Sequence, residues 1–545
     1  MTVQVTFLGG LGEIGRNCAA LETAGKIALI DCGLMFPEDD MLGVDLVFPD
    51  WGWMLERRED IAAVVLTHGH EDHVGALAYF LREFPVPVFG TPFSIAMARG
   101  RVEEVGVEAD LRSVETGVWT DYQGLRFMLV PVSHSVPQGA AVAFSTDEGI
   151  ILHSGDFKLD PTPIDGRPTD LPAFAALGRE GVRLLLADST NAERPGFVPS
   201  ESSLAEPIRR IVAGAEGRVI AACFSSHIHR VQQIVDAGLA AGRKISIFGR
   251  SMQRNTQAGI DLGLLELPNE ELLDIKELLE LPAEEQLLIT TGSQGEPFAA
   301  LSLIAQGQHK FVHLAADDTV LISAQPIPGN ERAVSKVISR LLRTGARVYH
   351  GRNAEVHVSG HAGRDELLTF LNVVRPEAMV PIHGEYRHLH AHAELAKDMG
   401  VPWVGVCEDG DRVIINGDET KVVRRAVQAG YVYLDGSSLG DATKAILRDR
   451  GHLADEGVVV VTVAVNLTSG EIVYGPDLDS HGMMDDPEAV LAKVSDAVRN
   501  AVEEAAADGN FDLAGLKKAV REAASRVIRA ESGRRPVVLP VVLEL

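Results

Sequence analysis

The stretch Thr67-His68-Gly69-His70-Glu71-Asp72-His73 brings three imidazoles and two carboxylates together within seven residues. Imidazole nitrogen and carboxylate oxygen are the ligands that borderline divalent ions such as zinc take. The stretch follows an apolar run, 61–66, that reads as a buried strand, and precedes 74–81, which reads as the start of a helix. His-x-His-x-Asp-His spacing on a strand-to-helix loop is specific enough to mark a metal motif rather than a polar turn that happens to hold histidines.

Other apolar segments end on the same kind of chemistry. The run 27–30 ends at Asp31, and 127–132 ends at Ser133-His134. The run 150–152 leads to His153-Ser154-Gly155-Asp156, and 184–187 ends at Asp188-Ser189-Thr190. Much later, 378–382 ends at His383-Gly384-Glu385. Strand ends at one edge of a sheet are where a rigid scaffold places reactive groups. One such ending is chance; six point to a single site. Taken singly, Asp31 suits capping or orienting as well as ligation, and His153 reads as a core or supporting residue. His388, His390 and His392 fall on an expected helix after His383 and are given no role.

The elements that must position these groups read as a mixed α/β chain. Residues 3–8 alternate as a strand and lead into Gly10-Leu11-Gly12-Glu13-Ile14-Gly15, a match to the dinucleotide fingerprint G-x-G-x-x-G. That fingerprint requires the loop to open a helix. Here 18–21 is followed by the turn Thr23-Ala24-Gly25-Lys26 and by 27–30, which is a hairpin pattern. The glycine-rich loop is therefore expected beside the metal residues and not around a dinucleotide.

Composition sets the outer bounds. The chain has 545 residues, enough for two to four domains, and is 46% hydrophobic with mixed charge, so it is globular. No apolar run approaches the roughly 20 residues that span a bilayer, and the N-terminus lacks a basic leader pattern. Cys18, Cys32, Cys223 and Cys407 are scattered, which fits reduced thiols in a cytoplasm and argues against a thiolate zinc site. A net charge of −27 repels nucleic acid on average, so a polyanion must be received by a local basic patch. Residues 206–260 hold eight Lys or Arg against three Asp or Glu, and 331–364 hold seven against two. A solvated helix face would account for either alone; together with the metal residues they suggest a basic channel for a polyanion. Ser225-Ser226-His227 and His357-Val358-Ser359-Gly360-His361 supply hydroxyls, imidazoles and a close-approach glycine suited to phosphate. Arg230, Arg250 and Arg254 are expected to assist them.

The ordered set Asp31, His68-x-His70-x-Asp72-His73, His134 and Asp156 resembles the metallo-β-lactamase superfamily. Asp188, His361 and His383 resemble the three further motifs of its β-CASP nucleases. GGLGEIGRN, FSSHIHR, HVSGHA and PIHGEYRHL look specifically like the bacterial ribonuclease J family, over essentially the whole chain and more loosely beyond about residue 445. The resemblance implies an α/β fold with a four-layer αββα core, two antiparallel-rich sheets between helices, and an inserted β-CASP domain. The expected divisions are 1–205 and 354–440 for the metallo-β-lactamase domain, 206–353 for the insertion, a linker at 441–455, and a small α/β domain at 456–545. The insertion should contain an acidic helix over 272–285. Pro540 should confine the last apolar strand, 537–543, to an edge.

Seven groups, His68, His70, Asp72, His73, His134, Asp156 and His383, are too many for one tetrahedral ion, and two ions fit. By the resemblance, Asp156 bridges; His68, His70 and His134 hold one ion, and Asp72, His73 and His383 the other. Zinc is the first expectation and manganese the second, since the set has nitrogen and oxygen but no sulfur. Asp31 and Asp188 would orient histidines, and His361 would join Asp72 and Asp188 in catalysis. The family also suggests a further calcium-like cation, for which Asp45 and Asp435 are the candidates, though both read first as exposed loop aspartates. The implied activity is hydrolysis of single-stranded RNA from a 5′-monophosphate end, with internal cutting as well. A homodimer or higher oligomer and other RNA-decay proteins are the implied partners. A small-ester or lactam hydrolase would share the first motifs without needing the insertion, and a non-catalytic RNA-binding scaffold would show degenerate ligands.

Overall fold

A computed structural model describes every residue except 1, 39, 297–298, 328–329, 437, 441, 468, 485, 508–511 and 545. The chain forms two compact units, Met1–Phe36 with Leu46–Val432, and Pro37–Asp45 with Tyr433–Leu545.

In the first unit two mixed sheets share a core. One sheet has eight strands, with the hairpin Cys18–Thr23 and Lys26–Ile30 at its middle, the N-terminal strand Val3–Gly9 on one side and Ile61–Val65 on the other. The hairpin turns through Ala24 and Gly25, both at positive φ (51° and 72°), as a two-residue primed turn requires. The second sheet has seven strands and includes Leu125–Pro131, Ala140–Thr146, Gly149–His153, Val182–Asp188 and Ala378–Ile382. Alternate residues face alternate sides of a strand. Phe127, Leu129, Val142, Phe144, Leu184 and Leu186 thus meet Val5, Phe7, Ile30 and Val65 of the first sheet. Met128, Val130, Ala143, Leu185 and Met379 face outward under Phe174, Phe370 and Leu371 of the helices Leu171–Glu180 and Arg364–Val374. Helix Pro92–Val105 packs on the strands Val88–Gly90 and Leu111–Ser113 of the first sheet. The layering is αββα. Both sheets are mixed: among the described residues the first has four antiparallel and three parallel pairings and the second three of each, the parallel ones including Lys26–Ile30 with Ile61–Val65 and Ile61–Val65 with Val88–Gly90.

A five-stranded sheet lies within the same unit, in the order Lys244–Phe248, Gln286–Thr290, Val219–Ala222, Thr319–Ile322, Arg347–His350, with every pairing parallel. The helix expected over 272–285 is broken. Only Ile275–Leu278 is α-helical, started by an Asp274 capping box, with 3-10 turns Asn269–Glu271 and Ala283–Glu285 on either side. Pro268 and Pro282 stand immediately before those turns and interrupt a continuous helical ladder.

In the second unit the central strand Val458–Val465 pairs antiparallel with Ile472–His481 and parallel with Val537–Glu544. Helices Glu488–Ala507 and Leu513–Ser532 cover one face, packing Val494, Val498, Leu516 and Val520 on Val459, Val461 and Val463. Pro540 sits on an edge strand, where its missing N–H costs no ladder bond on the outer side. The stretch expected as a linker folds from Lys444 to Glu456 as a helix capped by the Thr443 hydroxyl. Its first expected residue, 441, lies outside the described residues.

Candidate metal centre

The expected ligands arrive from strand ends of both core sheets. Ile61–Val65 delivers His68, His70, Asp72 and His73 on the loop and short helix Glu71–Val74 that follow it. Gly149–His153, Val182–Asp188 and Ala378–Ile382 lie side by side in the second sheet and end at Asp156, Asp188 and His383. The backbone is bent to do so: Asp31 and His383 adopt positive φ (59° and 54°), uncommon outside glycine.

Two donor sets form, each with its ligand atoms within 4.8 Å of one another: His68, His70, His134 and Asp156, and Asp72, His73, Asp156 and His383. Asp156 belongs to both. Its Oδ2 lies 3.6 Å from His68 Nε2, 3.2 Å from His73 Nε2 and 3.4 Å from His383 Nε2. Two ligands about 2.1 Å from one tetrahedral ion stand about 3.4 Å apart. A third group, Asp156, Asp188, His361 and His383, overlaps the second set.

The outer hydrogen bonds fix which nitrogen points inward. Asp31 Oδ2 accepts from His73 Nδ1 (2.7 Å) and from the Thr67 hydroxyl (2.7 Å), and that hydroxyl accepts in turn from His68 Nδ1 (3.0 Å). Asp188 repeats the scheme. It accepts from His361 Nδ1 (2.8 Å) and from the Thr190 hydroxyl (2.9 Å), which lies 2.6 Å from His383 Nδ1. His134 Nδ1 donates to the Gly360 carbonyl (2.8 Å). The Nε2 atoms of His68 and His134 are thereby left with lone pairs, directed at His70 Nδ1 from 3.1 and 3.2 Å. Three ring nitrogens converging with the Asp156 carboxylate, all within 4.8 Å of one another, fit a divalent ion.

Electrostatics divide the sets. Burial pushes His68 and His134 well below the usual imidazole range and His70 down to about 4, so all three rings are neutral donors. In the second set burial opposes charge on His383, but the Asp156 carboxylate prevails and raises it to about 9. His73 is raised by the same contest. Burial would raise the Asp72 carboxyl, yet His73 and His383 hold it far below its ordinary value. Asp188 likewise overcomes burial to raise His361.

The loops expected to take phosphate surround this centre. Gly360 lies against His134: a Cβ there would come within 2.8 Å of His134 Cε1. The Ser359 hydroxyl accepts from Asn191 Nδ2 (2.8 Å), and the same amide donates to the His361 carbonyl (2.9 Å). Ser225 accepts from Asn255 Nδ2 (3.2 Å), and Ser226 is half-buried. Two expected contacts turn inward. The Val358 side chain is buried, leaving only its backbone for a ligand. His227 is buried with Nε2 3.3 Å from Glu201 Oε1. Arg230 cannot assist a phosphate, because it is fully buried. Its guanidinium donates to Glu201 Oε1 (2.9 Å), Ser323 Oγ (2.6 Å) and the Val356 carbonyl (2.9 Å), tying the two loops together from behind.

Family models match nearly the whole chain. A "Metallo-beta-lactamase superfamily" model covers 11–201, a "Ribonuclease J, beta-CASP domain" model 216–341, a "Zn-dependent metallo-hydrolase RNA specificity domain" model 348–404 and a "Ribonuclease J C-terminal domain" model 445–545. Ribonuclease J of Mycolicibacterium smegmatis is 42% identical, over 100% of this chain and 97% of the relative. The chain belongs to the ribonuclease J family. Ribonuclease J 1 of Streptococcus pyogenes (99% of this chain, 97% of the relative) and ribonuclease J of Thermus thermophilus (99% and 95%) are each 38% identical. A crystal structure of a protein of unknown function from Enterococcus faecalis V583 shares the fold, with a TM-score of 0.53 at 15% identity over 76% of this chain and 100% of that one.

Within this ribonuclease J family member, sequence reasoning passed over the hydroxyls and amides that carry the network. Thr67 and Thr190 relay the two aspartates, and Asn17 Nδ2 lies 3.0 Å from His73 Nε2 and donates to the Asp72 carbonyl (3.1 Å). Each adjoins a residue already singled out, which is the one signal available. The glycine-rich loop does lie beside the centre, since Leu11–Gly12 pairs with Gly384–Glu385 directly after His383. Asp409 holds that loop, accepting from Leu11 N (3.1 Å) and Arg16 Nη2 (2.8 Å). Burial, opposed by Arg16 and aided by Glu13, pushes the Asp409 carboxyl up to about 7. His153 accepts from Gly155 N (3.0 Å), and His388 and His392 lie on helix Tyr386–Asp398, where His392 meets the Ser189 hydroxyl (3.0 Å). Of the candidates for a calcium-like cation, Asp435 is ion-paired with Arg450 and Asp45 Oδ2 accepts from Gly436 N (2.8 Å).

Proposed function

We propose that this chain is a two-metal ribonuclease that degrades single-stranded RNA from the 5′ end, favours a 5′-monophosphate, also cuts internally, and releases 5′-monophosphate nucleotides in RNA decay and maturation. Family membership supports the reaction class. The observation that carries the mechanism is one carboxylate oxygen, Asp156 Oδ2, shared by two donor sets beneath the loop that bears Ser359 and His361. His68, His70 and His134 would hold one ion and Asp72, His73 and His383 the other, zinc by preference and manganese as the alternative. The ions would supply positive charge for the phosphoryl group and lower the pKa of the attacking water.

The remaining chemistry belongs to the chain. Asp31 and Asp188, through Thr67 and Thr190, hold the ring tautomers. Ser359, His357 and the Ser225–His227 loop would grip the terminal phosphate. With its Nδ1 given to Asp188, His361 has Nε2 left to protonate the departing 3′-oxygen. General acids contribute about 10²–10⁴-fold, so His361→Ala should lower turnover by that order. We place the molecule in the cytoplasm, on its free buried cysteines, and as a homodimer. Among the described residues no helix is long and apolar enough to cross a membrane.

The test is digestion of one labelled RNA, bearing a 5′-monophosphate or a 5′-triphosphate, and of its DNA counterpart, by purified protein of measured metal content. Progressive release of 5′-mononucleotides, faster from the monophosphate, is expected. Equal rates from both ends would remove the terminal-phosphate pocket, and an unchanged chemical step in His361→Ala would remove the acid.

A further inference from the structure

A second space opens past the phosphate loop. A groove of about 560 Å³ is walled by Arg194, Ser203, Gln325, Arg352, Asn353 and His357. One wall is the segment that follows Asp188-Ser189-Thr190. The other is built from the carboxyl ends of the strands Thr319–Ile322 and Arg347–His350, the edge of a parallel sheet at which ligands bind. The inner end is tied to the metal centre, since Ser359 also lines the groove and Asn191 joins Ser359 to His361.

The groove carries three exposed charged side chains, Arg194, Arg352 and Glu355. Arg218, Arg230, Arg254 and Arg347 are held by carboxylates: Asp318, Glu201, Glu104 and Glu216. Arg194 and Arg352 are exposed, and their guanidinium groups make no hydrogen bond or ion pair among the described residues. Unpaired guanidinium groups in a groove of this size, within the usual range of about 300–1,000 Å³ for ligand sites, suit the phosphates of a single strand.

Which part of the strand follows from the reaction. When RNA is consumed from its end, the terminal phosphate is held at the loop of His357 and Ser359, and no substrate extends beyond. Internal cutting needs room on the 5′ side of that point. We propose that the groove receives the RNA segment 5′ to the scissile bond during internal cleavage, with Arg194 and Arg352 as its phosphate contacts. This rests on the two-metal ribonuclease reading above.

The experiment compares a covalently closed single-stranded RNA circle with the same sequence opened as a linear 5′-monophosphate RNA, using wild type and the double variant Arg194→Gln, Arg352→Gln. The variant should lose about tenfold or more in kcat/KM on the circle and stay within about twofold on the linear RNA, which also reports that it is folded. For two lost single-strand phosphate contacts, the slope of log binding constant against log salt should shrink by about 1.4 on the circle. Equal losses on both substrates would overturn the proposal by placing the arginines on the downstream strand. No loss on the circle would also overturn it. A wild-type chain that degrades the linear RNA and spares the circle would refute internal cutting and the groove together while leaving the 5′-end reading intact. Failure on both RNAs would refute the ribonuclease reading itself.

Discussion

Asp31 and Asp188 sit at opposite ends of the centre, and each governs two imidazoles, one directly and one through a threonine. Such supporting partners are typically worth about 10–100-fold in metal affinity. Thr190→Val, which keeps the shape and removes the relay, should therefore weaken zinc binding by about that factor, as read by competition with a chromophoric chelator. An unchanged affinity would show that His383 needs no orienting partner. Asp72→Ala or His73→Ala should remove one ion and abolish hydrolysis with the fold retained. Metal analysis beside circular dichroism checks both statements, and full activity with unchanged metal content would refute the ligand assignment. The ligand candidates were legible because histidine and aspartate at strand ends stand out from their surroundings. Thr67, Thr190 and Asn17 were not, because a hydroxyl or amide acquires its role only from what the fold puts beside it.

Elements explain why some readings of the chain held and others did not. The hairpin at 18–30 was legible from its two-residue turn, and that alone separated the glycine-rich loop from a dinucleotide site. The acidic stretch 272–285 was read as one helix from composition, while prolines and a capping box cut it short. The loop at 10–16 also makes a pH prediction. The Asp409 carboxyl that secures it titrates near 7 in the folded chain, above the ordinary value of about 3.9. The native state then binds a proton that the unfolded state releases between about pH 4 and 7. Stability from this group is greatest at the acid end and is lost as pH rises through that window. Asp409→Asn removes the titration. Between pH 5 and pH 8 the urea midpoint of wild type should fall relative to that of the variant; parallel midpoints would show that Arg16 keeps the carboxylate charged throughout.

At the scale of the whole molecule, the two basic stretches read from composition part company: the seven Lys and Arg of 331–364 stay exposed, while the first stretch gives up three of its eight to the interior. Arg218, Arg230 and Arg243 are buried on carboxylates or carbonyls, and a count of charges cannot tell a surface cation from an interior one. Layer order was more legible, because strand patterning survives folding where the use of a charge does not. In the second unit the sheet face away from the helices leaves Val473, Leu539, Val541 and Leu543 exposed. If this face supports the proposed homodimer, a chain ending near residue 450 should run as a monomer in light scattering and lose activity with it. A full-length chain that is monomeric at micromolar concentration would refute the dimer.

His383 follows the five-stranded sheet in sequence yet completes a donor set begun at Asp72. During synthesis, therefore, every residue of the first donor set is made long before the last residue of the second. On the proposed reading, a chain still emerging from the ribosome, or one released by a stop codon within the insertion, lacks a ligand of the second ion. The second donor set is complete only once translation has passed His383.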